Sequence, residues 1–496
     1  MKKIILFILL GAVLFIAASC GGESEQSAGG PERPDGQGGG EEAVSDGVEP
    51  GEDLSGPEEI VPDLPDVTFG GYDFVMRVRG PEQSAAWEIL KNIWSEEMDG
   101  TPMNDAVYTR NRRIEDKYDI NIVAVPSTSA TGTAANITSL VRSGDENTDV
   151  FIPGMNQIGS LISEGILVDL NGVAHLDLSK PWWDSNVTRD LSVGGKLYAT
   201  IGDICISTMN ATAAYYFNKK LHSDFGLEDM YNIVREGKWT LDKMAEMGRG
   251  AVIDLNGDGI FNNQDQFGLI AQKTITFGFF YLSGENITVN GAGGLPEPSI
   301  GNMRSVNALS KAIEALTFES GAFVGGDDET SEMFRSGQGL FYSHVLHTAE
   351  RLRANELNFG IIPAPKLDEA QERHYSYADS WCTSLLGIPV TNDNLERTGV
   401  ILEALAAESM LTLVPAYYEI NLASQFFRDD ESVEMLEIIR ESRILSADEL
   451  YNWGMTAEIG TIIDRGNTSS IVSRLDTLAG RLENSIERTL DAININ

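Results

Sequence analysis

Short apolar runs alternate with segments of helical periodicity in the part of the chain that follows residue 66. The runs have the length of strands, and the longest intervening segment places Val107, Ile114 and Tyr118 on one helical face. The predicted order is a strand at 72–78, a helix capped by Asn104, a strand at 121–125, a helix at 134–141 and a strand at 149–152. This alternation predicts a mostly parallel sheet with helices on both faces.

The segment from residue 339 to residue 362 shows the same alternation. The run 339–342 predicts a buried strand, 347–357 a helix and 359–362 a second strand. Pro363 and Pro365 should end that strand, because proline has no N–H to donate and restricts the residue before it. Further predicted features are an N-cap at Thr240 for a helix at 241–249, a short strand or buried segment at 277–282, and helices at 395–413 and 475–493.

The net charge of the chain limits the kinds of molecule that it can bind. The chain has 496 residues, enough for two large lobes, and a formal net charge of -39. So acidic a surface repels the phosphates of nucleic acid, which excludes a nucleic-acid partner. Solubility at a cell surface is the simplest reason for the charge.

The N-terminus predicts export and lipid attachment. Lys2 and Lys3 precede an apolar run at 4–18 that is too short to span a membrane stably, which is typical of a signal peptide over residues 1–19. The following Ala-Ala-Ser-Cys resembles a bacterial lipobox, in which Cys20 receives a diacylglycerol that can carry palmitate. An ordinary signal peptide with a chance cysteine is the alternative. The lipobox predicts a protein anchored by lipid to the extracytoplasmic face of the cell membrane.

Residues 20–66 are rich in Gly, Pro, Ser, Glu and Asp, with Arg33 as the single basic residue. Such a composition buries too little apolar surface to offset the entropy of ordering, so a disordered acidic tether is expected. Its carboxylates repel one another and an anionic membrane, which favours a stalk that holds the folded part clear of the lipid.

One loop has the spacing of a calcium site. Oxygen side chains occupy its positions one, three, five and twelve, and glycine its position six. The predicted ligands are Asp254, Asn256, Asp258, the Ile260 carbonyl and Asp265. Aspartate in the last position is shorter than the usual glutamate, which would weaken the site. A structural Ca²⁺ is the hypothesis, and an Asn/Asp/Gly turn without metal is the alternative.

Several motifs occur in an order that resembles the family 1 extracellular solute-binding proteins, the ABC-importer receptors that include maltose-binding protein. They are DVFIPGMNQIGSLISEGILVDL from residue 149, GKLY from 195, FNK from 217, GKWTL from 237, and F-x-x-G-x-G-x-F followed by FGIIPAPKLDEAQ near residues 334–371. The resemblance implies an α/β, two-lobed, type II periplasmic-binding-protein-like fold, each lobe being a mostly parallel sheet flanked by helices. It implies lobe 1 from 67–205 with 358–414, and lobe 2 from 206–357 with 415–496, including a crossing near Pro415.

Candidate ligand-binding residues come from strand ends and from the segments that the resemblance places between the lobes, since ligands bind beyond the carboxyl ends of such strands. The predicted set is Asn156, Gln157, Asp203, Ser343, His344, Tyr377, Asp379, Trp381 and Trp453. Helix capping is the alternative for the first two, an exposed loop carboxylate for Asp203, and a structural histidine for His344. Trp182, Trp183 and Trp239 are expected to pack rather than to bind.

The resemblance implies a monomeric receptor that captures a small solute by lobe closure, here expected to be an oligosaccharide, and delivers it to an ABC permease. The sequence has no nucleophile elbow, P-loop or HExxH motif, and no enzyme activity is expected. A surface glycan-degrading enzyme, and a sensor or adhesin without a transporter, stay open as alternatives. Whether Cys205 and Cys382 pair also stays open.

Overall fold

A computed structural model describes residues 61–80, 89–127, 133–352, 357–423 and 431–493. The predicted signal peptide, Cys20 and the tether up to residue 60 lie outside the described residues. From Asp63 onward the chain forms one unit. Its strands are β1 Tyr72–Val78, β2 Ile120–Pro126, β3 Val150–Ile152, β4 Ala213–Asn218, β5 Phe267–Gln272, β6 Thr288–Asn290, β7 Pro296–Pro298, β8 Ala322–Gly325, β9 Gly339–Val345, β10 Phe359–Ile362, β11 Ser376–Tyr377 and β12 Arg443–Ile444.

Helices cover these strands. In chain order they are Leu90–Ile93, Pro102–Tyr118, Thr133–Arg142, Met155–Ser163, Ser185–Leu191, Lys219–Asp224, Met230–Arg235, Leu241–Arg249, Gly278–Tyr281, Met303–Ala315, Asp327–Arg335, Thr348–Leu352, Leu395–Ala423, Glu431–Glu441, Ala447–Tyr451, Met455–Arg465 and Ile471–Ala492. Short 3-10 segments lie at Leu170–Gly172, Asp203–Ala211, Lys273–Ile275, Ala292–Gly294, Phe318–Ser320 and Thr468–Ser470.

The first sheet has the order β2-β1-β3 and is parallel throughout. In β1 the alternate residues Phe74, Met76 and Val78 are fully buried, because successive side chains of a strand point to opposite faces. The predicted β-α-β-α-β order is confirmed. Helix Pro102–Tyr118 starts one residue after Thr101, so the expected cap at Asn104 is wrong: proline suits the first turn, where its missing N–H costs nothing.

The second sheet has the order β10-β4-β9-β5-β8. Strands β5, β8 and β9 run parallel, whereas β4 is antiparallel to both β9 and β10. The α/β fold class is confirmed. The expected boundary at residue 358 is wrong for one strand, because Phe359–Ile362 pairs with β4 and so belongs to the second sheet.

Three pieces of chain lie side by side between the two sheets. Strand β11 pairs in parallel with β12, and Thr212 forms a bridge with Ala378. The chain then passes to the first sheet, where Gly387 bridges Phe151 of β3. The division into two lobes at the other expected boundaries stays a prediction.

Helix Leu395–Ala423 packs along helix Pro102–Tyr118. Its part Leu395–Tyr418 is long and apolar enough to cross a membrane, but 67% of its most apolar window is buried within the fold. Pro415 lies inside this helix, which continues through it to Ala423, and the expected crossing between lobes near Pro415 stays a prediction. Helical periodicity alone predicts an outer face for Arg110 on helix Pro102–Tyr118, yet its guanidinium is buried and donates to Ser409 Oγ and the Ile93 carbonyl.

Two further predictions, an N-cap at Thr240 and a strand or buried segment at 277–282, have different outcomes. Thr240 caps helix Leu241–Arg249 as predicted, since its hydroxyl accepts from the Lys243 N–H at 3.1 Å. The segment at 277–282 forms the short helix Gly278–Tyr281, whose aromatic side chains are buried, so the buried-segment alternative is confirmed and the strand is wrong.

Candidate functional site

A polar cleft of about 530 Å³ lies where the ends of the two sheets approach each other. One side is helix Met155–Ser163, which follows β3, and the other is the turn Lys273–Ile275, which follows β5. Its lining residues are Asn156, Lys273, Thr274, Thr276, Phe277, Ser380, Asp448, Glu449, Asn452, Gly454, Thr456, Ala457, Gly460, Thr461 and Asp464. Polar side chains beyond parallel strand ends are the usual setting of a small-molecule site.

Asp448 fixes the backbone that forms one side of the cleft. Its buried carboxylate accepts from the Met455 N–H at 2.8 Å and from the Thr456 N–H at 2.7 Å. Those two N–H groups open helix Met455–Arg465 and have no partner within the helix, so the carboxylate caps it. The turn between the helices uses left-handed backbone at Asn452, with φ 55°, which carries that amide to the cleft.

Glu449 presents a partly buried carboxyl group to the cleft. Ser380 Oγ donates to its Oε1 at 3.0 Å, and the Tyr377 hydroxyl donates to its Oε2. Burial raises the pKa of Glu449 to about 8, and the nearby charges of Asp379 and Asp448 act in the same direction. This carboxyl group therefore carries a proton more readily than an ordinary glutamate.

A cluster of aromatic side chains holds Tyr377, whose hydroxyl donates to Glu449. The Tyr377 ring stacks on Tyr281 at 5.2 Å between centroids and meets Phe277 edge-on at 4.8 Å. The Tyr281 hydroxyl lies 2.8 Å from Thr456 Oγ1. Rings and hydroxyls held in this way leave the Tyr377 hydroxyl little freedom, so the position of Glu449 is well defined.

The opposite wall combines a cation, hydroxyls and a carboxylate. Lys273 and Thr274 are exposed immediately after β5. Thr276 Oγ1 donates to Asp464 Oδ1 at 3.2 Å, which joins this turn to helix Met455–Arg465. The cleft can therefore offer a solute both donors and acceptors of hydrogen bonds.

Of the predicted ligand-binding residues, Asn156 lines the cleft, and Asn452 Nδ2 donates to its carbonyl at 2.9 Å. Gln157 does not line it. Its Oε1 accepts from the Ala134 N–H at 2.9 Å, in the first turn of helix Thr133–Arg142. The helix-capping alternative therefore describes this contact of Gln157.

Tyr377 does not line the cleft, but its hydroxyl donates to the lining residue Glu449. Asp379 and Trp381 are the chain neighbours of the lining residue Ser380. Asp379 Oδ1 accepts from the Cys382 N–H at 2.9 Å, a contact that shapes its own turn. Trp381 is 42% exposed, and the Arg79 guanidinium lies 4.8 Å from its ring centroid.

Trp453 sits between two lining residues, but its side chain turns away from the cleft. Its indole Nε1 donates to Thr489 Oγ1 at 2.9 Å, and its ring stacks on Tyr451 at 5.3 Å. No tryptophan in the described ranges lines the cleft. The expected indole platform is therefore not assembled there.

The structure places Asp203, Ser343 and His344 away from the cleft. Asp203 is buried rather than an exposed loop carboxylate, and Arg440 Nη2 lies 2.8 Å from its Oδ1. His344 Nε2 lies 3.0 Å from Asp327 Oδ1, and its Nδ1 accepts from the Val345 N–H. These contacts lie within the protein, and Asp203 Oδ2 is buried with no hydrogen-bond partner among the described residues.

Trp182 and Trp183 pack as expected. Both are buried, and both indole N–H groups donate to the carboxylate of Glu403, at 3.0 and 2.8 Å. Cys205 and Cys382 are not joined by a disulfide in the structure.

The predicted calcium loop is a tight turn held by its own acidic side chains. Asp254 accepts from the Gly257 and Gly259 N–H groups at 2.7 and 2.8 Å, and both glycines have positive φ. Asp265 is buried and accepts from the Leu255 and Asn262 N–H groups. In the described ranges no three His, Cys, Asp or Glu side chains come together as a metal group. The calcium site stays a prediction.

Most of the lining residues were not predicted from the sequence. Lys273 and Thr274 carried a usable signal, because they follow the buried run of β5 as strand-end residues do. Glu449 and Asp464 carried none, since they are two of 75 acidic residues, and only the packing of distant segments brings them together.

Two sheets linked by paired crossing segments around a polar cleft have the fold of the extracellular solute-binding proteins. The resemblance to family 1 that the motifs indicate is confirmed at the level of the fold. No protein-family model matches the chain, and no curated protein matches it by sequence.

This chain is similar in fold to several solved structures and covers nearly all of the length of each. A cyclo/maltodextrin-binding protein complexed with maltotetraose is 14% identical, with a TM-score of 0.54, over 88% of this chain and 98% of that chain. UgpB from Mycobacterium tuberculosis in complex with glycerophosphocholine is 16% identical, with a TM-score of 0.52, over 85% and 100%. The GacH receptor of Streptomyces glaucescens, solved unliganded and with acarbose, is 13% identical, with a TM-score of 0.51, over 85% and 99%.

Proposed function

We propose that this protein is the solute-binding receptor of an ABC importer and captures a small polar solute in the cleft beside Glu449. The observation that carries the proposal is the position of this cleft, between β3 and β5 and beside the crossing strands β11 and β12. A ligand that contacts both sides favours the closed form only to the extent that it binds that form more tightly. The closed form is then what the permease recognises.

An oligosaccharide is the proposed solute. Hydroxyl and amide groups, among them Asn156, Thr274, Thr461 and Asn452, match the alternating donors and acceptors of a sugar, and Phe277 offers an apolar face. Two of the similar structures are named for maltodextrin or acarbose, whereas a third holds glycerophosphocholine. Two of these proteins are named as a binding protein and a receptor, and we propose binding rather than catalysis as the role of the cleft.

We also propose that the mature protein begins at a lipidated Cys20 and stands on the extracytoplasmic face of the membrane, with the acidic tether as its stalk. The support is the sequence of the N-terminus, where a signal peptide, a lipobox-like triplet and an acidic segment follow one another. Ca²⁺ is proposed as a structural ion at Asp254, Asn256, Asp258, Ile260 and Asp265, because the loop spacing supplies oxygen ligands.

A thermal-shift screen tests the binding role, because a ligand that binds only the folded state raises the unfolding midpoint. The panel contains maltodextrins, peptides and glycerophosphodiesters. Gly460 lines the cleft, so Gly460→Phe should fill it and abolish the shift. Gly480→Phe is the matched control, since a Cβ at Gly480 meets no atom within 4 Å.

The expected result is an oligosaccharide that stabilises the unmodified protein and the Gly480→Phe control but not Gly460→Phe. Equal stabilisation of both variants would place the solute outside the cleft and overturn the proposed site. Stabilisation by peptides alone would overturn the sugar assignment.

A further inference from the structure

Glu449 differs from the other buried carboxylates in what accompanies it. Elsewhere in the described chain the buried carboxylates accept from N–H groups: guanidinium groups for Asp149 and Asp203, backbone N–H groups for Asp265 and Asp448, and indole N–H groups for Glu403. The two recorded partners of Glu449 are neutral hydroxyls, from Tyr377 and Ser380. A desolvated carboxylate without a cation is costly to keep charged, and such groups in clefts mark functional positions.

The surroundings of Glu449 add negative charge. Asp448 precedes it on the same helix, and Asp379 stands on the crossing segment beside it. Tyr377 and Tyr281 lie beneath it, and Asp464 and Lys273 line the same cleft farther along. Three carboxyl groups thus line the cleft against one ammonium group, so acidic groups outnumber basic groups there.

A proton takes the place of the missing cation when the cleft is empty. Burial raises the pKa of Glu449 to about 8, so near neutral pH the carboxyl group is mostly protonated. A cation that reaches Glu449 from the cleft can replace that proton and form a charge-assisted hydrogen bond with the carboxylate.

Building on the proposed solute-binding function, we propose that the cleft selects solutes bearing a protonated primary amine and that Glu449 is the residue that binds the amine. Ser380 and Tyr377 hold the carboxylate in place, and the hydroxyl and amide groups of the cleft bind the rest of the solute. Glu449 is then the specificity-determining residue that distinguishes an amine from its neutral counterpart.

The same amine chemistry occurs in two kinds of small solute, the amino sugars and the polyamines. Glucosamine trimer and N-acetylglucosamine trimer form a matched pair of probes, because they share a skeleton and differ in whether the nitrogen is charged. Spermidine carries the charge without sugar hydroxyls. Comparing the trimer with spermidine therefore distinguishes the two sources.

Isothermal titration calorimetry of the full folded protein, at pH 7 and low salt, tests the proposal. Glucosamine trimer or spermidine should bind at least about tenfold more tightly than N-acetylglucosamine trimer, as a hydrogen bond to a charged group predicts. Glu449→Gln keeps the size of the side chain but removes its charge, and should remove that preference. Glu441→Gln, at an exposed position outside the cleft, removes the same charge and should leave the preference unchanged.

Proton release provides a readout that a structural role would not affect. In two buffers of different ionisation enthalpy, spermidine or the amine trimer should release most of one proton per site from the unmodified protein, and about none from Glu449→Gln. Thermal unfolding of each variant establishes that it is folded before titration.

Equal or tighter binding of N-acetylglucosamine trimer would overturn the amine proposal and leave the solute-binding function standing. Failure of both amine probes to bind would also overturn it, while stabilisation by neutral maltodextrins would keep the wider function. An amine preference that Glu441→Gln reduces as much as Glu449→Gln would overturn the role of Glu449, because it would reflect the overall negative charge.

Discussion

Gly159 lies directly against the backbone of Leu450: a Cβ added to Gly159 would stand 2.2 Å from the Leu450 carbonyl oxygen. Helices Met155–Ser163 and Ala447–Tyr451 therefore meet with no side chain between them at this point. Because Asn156 stands on the first helix and Glu449 on the second, this contact sets the spacing of two walls of the cleft.

Gly159→Ala should destabilise the protein by about 1–3 kcal/mol, because the helices must move apart to admit the methyl group. Urea unfolding measures the change. Gly480→Ala is the control: it stands in a helix with open space around it and should stabilise by about 0.5–1 kcal/mol. Equal effects of the two substitutions would contradict the close helix contact.

Glu449 should make stability fall as the pH rises. Its pKa is raised from 4.5 to about 8 in the folded protein, so the folded state holds the proton more tightly than the unfolded state. Its stabilising contribution is complete below about pH 4.5 and is lost as the pH approaches 8, with a slope of at most about 1.4 kcal/mol per pH unit.

Urea unfolding from pH 5 to pH 8 measures this dependence. Glu449→Gln should flatten the profile relative to the unmodified protein, whereas Glu441→Gln should not. Parallel profiles for the protein and Glu449→Gln would show that this carboxyl group does not titrate in the window.

Millimolar Ca²⁺ should give a calorimetric binding signal with the chelator-stripped protein and raise its unfolding midpoint, because the ion binds the folded loop. Asp258→Asn removes one charged ligand and should weaken binding, while Asp242→Asn, on the exposed start of helix Leu241–Arg249, should not. Mg²⁺ should bind more weakly, since it requires stricter octahedral geometry. If Ca²⁺ produces no heat, the calcium hypothesis is wrong and the loop is an Asn/Asp/Gly turn without metal.

Replacing Trp453 by alanine should cost much more folding stability than replacing Trp381. Trp453→Ala should cost about 3–5 kcal/mol, because the ring is 9% exposed, stacks on Tyr451 and donates to Thr489. Trp381→Ala should cost under about 1 kcal/mol, since its ring is 42% exposed and its main ring contact is the Arg79 guanidinium. Thermal melts compare the two, and similar costs would contradict the burial assigned here.

Near-neighbour patterns determined much of the fold. The runs that became β1, β2, β3, β9 and β10 were visible as apolar segments of strand length, and Thr240 was recognisable as a cap from the helix it precedes. These features depend on a few adjacent residues and on backbone sterics, so short stretches of sequence are enough to predict them. The buried Arg110 shows the limit, because helical periodicity could not anticipate that Ser409 would accept from its guanidinium.

The sequence by itself determined the alternation of strands and helices, the acidity and the order of motifs that resembles the solute-binding proteins. Only the tertiary structure decided which side chains share the cleft: Asn156, Lys273, Ser380 and Glu449 are far apart in the chain and meet through packing. It also turned Trp453 toward Thr489, and gave Glu449 hydroxyl partners, whereas buried carboxylates such as Asp203 and Asp448 accept from N–H groups. Burial and charge pairing depend on neighbours distant in sequence, and no local pattern records them.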